Sequence, residues 1–319
     1  FLKFEEAVKE IDDSKALNSL SDWKSHLDLN ERPVIGVFSQ SIVESDFYDP
    51  KFANKTSYIM SAYTKFIQAS GARVVPLIKE ESDNVTLAKV GMLNGILFPG
   101  GGGAYLDKGK LVWDRILEIN DNGTFYPMWG TCLGYEHFVE YTATRGRDAL
   151  DQFIAKNVSL PLEFLVNPQK TRMFEDLGER AYRFEQKNMT YNFHTWAVAP
   201  EMYVNDTGLK DFWDVTSQSR VPNNGTAFVA TIEAKNYPIY ATQFHPEKTS
   251  ELWSHYNIDH SWESIQLHRH FSKMLVGMPR ANNNTFGTYA DYSKYDISNY
   301  ETQHTDHLGD IWVFGPDDV

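Results

Sequence analysis

The stretch Pro127-Met128-Trp129-Gly130-Thr131-Cys132-Leu133-Gly134-Tyr135-Glu136 constrains this chain more than any other. It holds the only cysteine of 319 residues, with a glycine two residues to either side. Apolar and aromatic residues run up to Cys132 from Phe125, and an apolar-periodic run leaves it. The segment therefore reads as strand, sharp turn, helix, with Cys132 at the apex. A nucleophile on a strained turn needs small neighbours, so that substrate can approach and the backbone can take unusual dihedrals. The N–H groups that open the following helix then face a reacting carbonyl and favour a thiolate. A lone cysteine is ordinarily a core residue; the paired glycines favour a nucleophile on a surface-facing elbow.

Around this elbow, short apolar runs alternate with helical patterns. Val34–Phe38, Arg73–Leu77, Gly95–Phe98 and Phe125–Gly130 read as buried strands. Thr56 or Ser57 caps a helix with Ile59, Tyr63, Phe66 and Ile67 on one face, ending at Gly71. Leu87–Leu93, Tyr105–Ile119 and Leu133–Thr144 read as further helices. The alternation predicts an α/β fold with a mostly parallel central sheet and right-handed crossovers. Sites in such sheets lie beyond the carboxyl ends of strands. Both Cys132 and the glycine run Gly100–Gly103 fall there. Residues 145–225 show few clear periods. Phe228–Ile232 and Ile239–Phe244 read as a strand pair, and Ser261–Val276 as a capped helix. Three regions are expected: a peripheral extension over 1–31 with two short amphipathic helices, a catalytic domain over 32–280, and a surface tail over 281–319 that is rich in Asn, Asp, Tyr and Ser.

Charge and composition narrow the partners. The net charge is −13, and no basic, aromatic-rich patch appears, which excludes nucleic acid. No apolar run approaches the roughly 18 residues that span a membrane. One cysteine forbids an intramolecular disulfide. N-x-[ST] sequons occur at Asn54, Asn84, Asn122, Asn157, Asn188, Asn205, Asn224 and Asn283. Chance gives about two or three, so the excess points to the secretory pathway.

The glycine run does not bind a nucleotide by any standard pattern. Between Gly103 and Gly109-Lys110 stand five residues where a P-loop has four, and Leu111 replaces Ser or Thr. Tyr105 breaks G-x-G-x-x-G. The run reads better as a loop of backbone donors facing Cys132, half of an oxyanion hole. His245-Pro246-Glu247 follows the strand ending at Phe244. A cysteine nucleophile needs an imidazole to take its proton and a third group to orient the ring, and His-x-Glu can supply both. His194 is a second candidate, with a packed loop histidine as the alternative. In the site it would titrate near its ordinary value of about 6.5. No metal and no cofactor is expected: His268 and His270 lie two apart on a helix, and there is no second cysteine.

Pro99-Gly100-Gly101, Gly130–Gly134 and Phe244–Glu247 resemble, in order, the class I glutamine amidotransferase-like hydrolases. More closely, the chain resembles the gamma-glutamyl hydrolase family of folate polyglutamate peptidases. That likeness rests on Tyr58-Ile59, Gly71–Pro76, Asn94–Gly101, Trp129–Glu136, Thr171–Phe174, Asn192–His194 with Trp196, and Gln243–Lys248, and covers about Pro33 to Met278. The resemblance implies a flavodoxin-like three-layer sandwich. It implies Cys132 as nucleophile, His245 as base and Glu247 as orienter. It implies the N–H groups of Gly101 and Leu133 as oxyanion donors, and Tyr58, Glu136, His194 and Trp196 around the γ-glutamyl group. A small-molecule poly-γ-glutamyl substrate, a homodimer and a lysosomal, vacuolar or extracellular place follow as expectations. The extension to residue 31 and the tail after Arg280 do not match the family pattern, and family members carry more cysteines. Two rivals stay open. One is a glutaminase that passes ammonia to a synthase; the other is an inactive family member serving as a binding glycoprotein.

Overall fold

The computed structural model describes residues 29–44, 50–255 and 257–319. The two helices expected within residues 1–31 lie outside the described residues. Fourteen strands are described. They are β1 (Val34–Phe38), β2 (Gln40–Ser41), β3 (Ser57–Met60), β4 (Arg73–Leu77), β5 (Gly95–Phe98), β6 (Met128–Thr131) and β7 (Asp151–Leu160). Then come β8 (Glu163–Phe164), β9 (Thr190–Ala197), β10 (Trp213–Arg220), β11 (Ala227–Ala234), β12 (Ile239–Thr242), β13 (Glu301–Thr305) and β14 (Gly309–Phe314). The longer α-helices are α1 (Ser61–Gln68), α2 (Asp83–Val90), α3 (Leu106–Asp121), α4 (Leu133–Thr142) and α5 (Trp262–Gly277). The described chain divides into two compact units, where the sequence suggested one catalytic domain.

One unit comprises residues 29–129, 250–255 and 272–319. Its strands run β4-β1-β5, all parallel, with Gly36 paired to both Val75 and Ile96. Every residue of β1 is buried, as a strand covered on both faces requires. The Ser82 hydroxyl caps α2 by accepting from Val85 N. A second, antiparallel sheet runs β13-β14-β3-β2. It corrects two expectations. Residues 281–319 are no surface tail: Ile311, Val313 and Phe314 are fully buried. Three such side chains contribute about 1.5–3 kcal/mol each. Ser57–Met60 is strand rather than the first turn of a helix, and α1 begins only at Ser61. The cause is tertiary: β3 lies between β14 and β2, so its backbone groups are satisfied by ladder pairing, and the helix-start signal is overridden.

The other unit comprises residues 130–249 and 257–271. From the end of β6 its strands run β12-β11-β10-β8, and the last three pairs are antiparallel. The expected strand pair is therefore present as β11 and β12. Helix α5 lays Phe271 against Phe174, Phe184 and Phe244, each with ring centroids 5.7 Å away. A separate antiparallel ribbon, β7 with β9, packs Phe153, Ala155, Leu160 and Ala197 against Val221 and Phe228. The α/β reading holds, with parallel strands in the first unit and an antiparallel flank in the second.

Candidate active site

Cys132 follows β6 directly and precedes α4, with φ 51° and ψ −105°. A side chain at positive φ costs about 1–3 kcal/mol and persists only where the surroundings impose it. Here they do. Cys132 N donates to Thr242 O at 2.8 Å, and Cys132 O accepts from Glu136 N at 2.9 Å. Gly130 lies against the start of α4: a Cβ there would come within 2.9 Å of Gly134 backbone and 2.8 Å of the Phe138 ring. That contact explains the glycine two residues before the cysteine.

The thiol is not surface-facing as the sequence suggested. Cys132 is 5% exposed, with Sγ 4.0 Å from Phe193 O. Burial pushes the thiol well above its ordinary range, and Glu136, where it is ionised, adds to this. Lys248 opposes, and the Leu133 N–H at the start of α4 favours the thiolate. The balance favours the neutral thiol over the thiolate.

His245 lies just past β12, where its N–H donates to Tyr191 O at 2.9 Å. Its Nδ1 lies 2.8 Å from Glu247 Oε1, and both residues are buried. Burial alone would raise the pKa of Glu247; the neighbouring His245, their hydrogen bond and Lys248 outweigh it and hold the carboxyl below its usual range. An ionised Glu247 accepts, so Nδ1 carries the proton and Nε2 is left with a lone pair. Pro246 between them lets both side chains turn to one side.

His194, on β9, is 4% exposed and sits edge-on to Phe228 at 4.9 Å. Asn192 donates through Nδ2 to Thr190 O, so its Oδ1 faces His194 Nε2 at 3.3 Å. Burial, and then the charge of His245, push His194 down to about 3. It is a neutral imidazole at physiological pH, which corrects the expectation of a value near 6.5. Glu136, one turn into α4, is pushed up to about 8 by burial, against a hydrogen bond from Gln243 Nε2 at 3.2 Å. It is therefore largely a protonated acid at neutral pH. Trp196 is half exposed, with the Arg147 guanidinium 5.8 Å from its ring.

Residue-level reading assigned no part to Lys248. The residue is buried, with its ammonium over the rings of Tyr191 and Phe193 at 5.3 and 5.6 Å. Burial lowers its pKa, while Glu247 and Cys132 pull it back up. The one signal was its place directly after Glu247. Cys132, Leu133, Glu136, His194, Trp196, His245 and Glu247 all belong to the unit of residues 130–249. Tyr58 and Gly101 belong to the other. There Tyr58 is buried on β3, and Gly101 follows β5 in the glycine run. Among the described residues no group of three or more His, Cys, Asp and Glu is placed to hold a metal ion, and no helix is long and apolar enough to cross a membrane.

The strand–Cys132–helix turn, the His-x-Glu pair after the neighbouring strand and the α/β frame define a class I glutamine amidotransferase domain. The family "Glutamine amidotransferase class-I" matches residues 57–263. Among relatives, gamma-glutamyl hydrolase B of Dictyostelium discoideum is 31% identical over 306 residues, 92% of this chain and 86% of that protein. The gamma-glutamyl hydrolase of Mus musculus is 33% identical over 264 residues, 81% and 80% of the two chains. Gamma-glutamyl hydrolase 1 of Arabidopsis thaliana is 31% identical over 297 residues, 90% and 84%. The chain belongs, within that class, to the gamma-glutamyl hydrolase family and is a hydrolase.

Proposed function

We propose that this chain hydrolyses γ-glutamyl amide bonds of small poly-γ-glutamates, folyl conjugates among them, with Cys132 as nucleophile. The observation that carries the reading is the buried His245–Glu247 pair at 2.8 Å in the same unit as the strained Cys132 turn. His245 Nε2 takes the thiol proton, and Sγ bonds to the γ-carbonyl carbon. The carbonyl π electrons move to oxygen, where the Leu133 N–H at the start of α4 stabilises the charge. The C–N bond breaks as His245 returns the proton to the leaving amine. Water, deprotonated by the same imidazole, then attacks the thioester and releases γ-carboxylate and thiol. The buried Lys248 favours the thiolate, and the protonated Glu136 can donate to a substrate carboxylate. His194, neutral across the working range, serves as a donor or acceptor and not as a charge.

The substrate bears several carboxylates, while the chain has net charge −13. Screening beyond about 8 Å leaves local donors to decide binding. Incubation with a γ-linked polyglutamate and, separately, with glutamine tests the reading. Cleavage of the first supports it; ammonia from glutamine alone would support the glutaminase. No cleavage of either by protein whose thiol still alkylates would support the inactive binder.

A secretory place for the chain is part of the proposal. Asn54, Asn84, Asn122, Asn188, Asn205, Asn224 and Asn283 are all exposed, as glycan acceptors must be. Asn157 differs: it is half-buried at φ 53°, and its Oδ1 accepts from the Tyr191 hydroxyl at 3.0 Å. Mass spectrometry of protein from a secretory host, before and after glycosidase, is expected to find glycans on several exposed sequons and least on Asn157. Bare sequons throughout would remove the lysosomal, vacuolar or extracellular assignment.

A further inference from the structure

Lys248 is 4% exposed, and a buried ammonium is costly unless its surroundings stabilise the charge. Two rings of β9 do so. The ammonium lies 5.3 Å from the centre of the Tyr191 ring and 5.6 Å from that of Phe193, both within cation–π reach. Alternate residues of a strand share a face, so these two rings project together. They differ in firmness. Phe193 is 39% exposed, whereas Tyr191 is fully buried. The Tyr191 hydroxyl donates to Asn157 Oδ1 at 3.0 Å, and the Tyr191 carbonyl oxygen accepts from His245 N at 2.9 Å. Tyr191 thus grips the segment that bears both the base and the lysine. It does so through the backbone at His245 and through the ring at Lys248, three residues on.

The charges around the thiol are of both signs. Glu136 on α4 and Glu247 after β12, where ionised, disfavour the thiolate, and Lys248 favours it. Lys248 in turn is acted on by Glu247 and Cys132. His194 on β9 is neutral at physiological pH, and His245 becomes positive only on taking a proton. A lysine carries its strongly hydrated ammonium on a flexible four-carbon stem. Released from the rings, it would turn out to water. We infer that Tyr191 is a positioning residue, whose ring holds the Lys248 ammonium where its charge assists proton loss from Cys132. The inference rests on the proposed role of Cys132 as nucleophile.

The test uses the full chain with Tyr191→Phe, Tyr191→Leu, Lys248→Met, and Tyr191→Leu combined with Lys248→Met. It reads the rate of Cys132 alkylation against pH, kcat and KM on a γ-glutamyl peptide, and melting temperature. Tyr191→Leu is expected to slow alkylation about 10-fold at neutral pH, as loss of a desolvated cation–π contact gives. Lys248→Met should slow it by a similar factor and the double variant no further, because both changes take the same charge from the thiol. Tyr191→Phe keeps the ring and should alkylate within about twofold of wild type, while the lost bond to Asn157 lowers its melting temperature. Burial holds Lys248 below the usual lysine range, so its charge fades as pH rises. The advantage of wild type over Tyr191→Leu should fade with it, since Cys132, Glu136, Glu247, His194 and His245 are common to both; a damaged fold would stay slow at every pH. Additive losses in the double variant would overturn the assignment. So would a wild-type rate in Tyr191→Leu, or a loss as large in Tyr191→Phe. If Tyr191→Leu does not fold, Tyr191→Met, which offers no ring face either, is read in the same way. Alkylation needs no turnover, so a wild type that leaves the peptide intact removes the hydrolase reading, while the alkylation rates still decide the part of Tyr191.

Discussion

The turn at 130–134 and the run at 100–103 are both glycine-built turns at strand ends, and they are fixed in different ways. The first places a non-glycine residue, Cys132, at φ 51° and holds it by packing Gly130 against Gly134. The second has no side chain of its own and is held from outside, by Gln40, Tyr63 and Ser41. Around the first, titratable groups are displaced in both directions: Cys132 and Glu136 upward, His194 and Glu247 downward. The second offers only backbone.

The comparison can be broken most readily at Gly101. Gly101→Ala puts a methyl into Gln40 and must turn the peptide. Its melting temperature is expected to fall by about 4–8 °C, as a loss of about 2 kcal/mol gives in a chain of this size. An unchanged melting temperature would show that the run can shift to make room for a side chain. A smaller effect is expected at the other turn. Cys132→Gly relieves the positive φ that Cys132→Ala keeps, so it should be the more stable of two inactive proteins by about 1–3 kcal/mol, read by urea denaturation. Equal stability would mean that the turn stores no strain.

The smallest effect separates the turns by pH. The folded-state pKa of Glu136 is raised to about 8, so between the ordinary carboxylate range and pH 8 the folded protein binds the extra proton. Stability associated with that proton is complete at low pH and is lost as pH rises through about 8. Glu136→Gln removes this dependence. Its melting temperature relative to wild type should therefore rise between pH 5 and pH 8, whereas Gln40→Met should show no such trend. A constant difference for Glu136→Gln would mean that the carboxyl is ionised in the fold.

The sequence showed chemistry where chemistry needs particular side chains at short spacing. Cys132 between glycines and His245 two residues before Glu247 are local patterns, and both lie at strand ends as expected. Lys248 and Gln40 were not legible in that way, because their parts depend on contacts that residue spacing does not encode. Gln40 meets Gly100 from 60 residues away. The same holds for the fold. β1, β4 and β5 were readable as buried apolar runs, but β7 and β9 were not: their pairing is shifted twice, and Asn157 breaks the alternation at positive φ. Ser57–Met60 looked like a helix start because its strand pairing, with β2 and with β14 more than 240 positions later, is not local.

The central claim is that Cys132 breaks γ-glutamyl bonds. Its most direct test is turnover of a γ-linked triglutamate and its α-linked isomer by wild-type protein and by folded Cys132→Ala. The account predicts that wild type cleaves the γ-linked peptide and spares the α-linked one, and that Cys132→Ala cleaves neither. Cleavage of the γ-linked peptide by folded Cys132→Ala at the wild-type rate would contradict it.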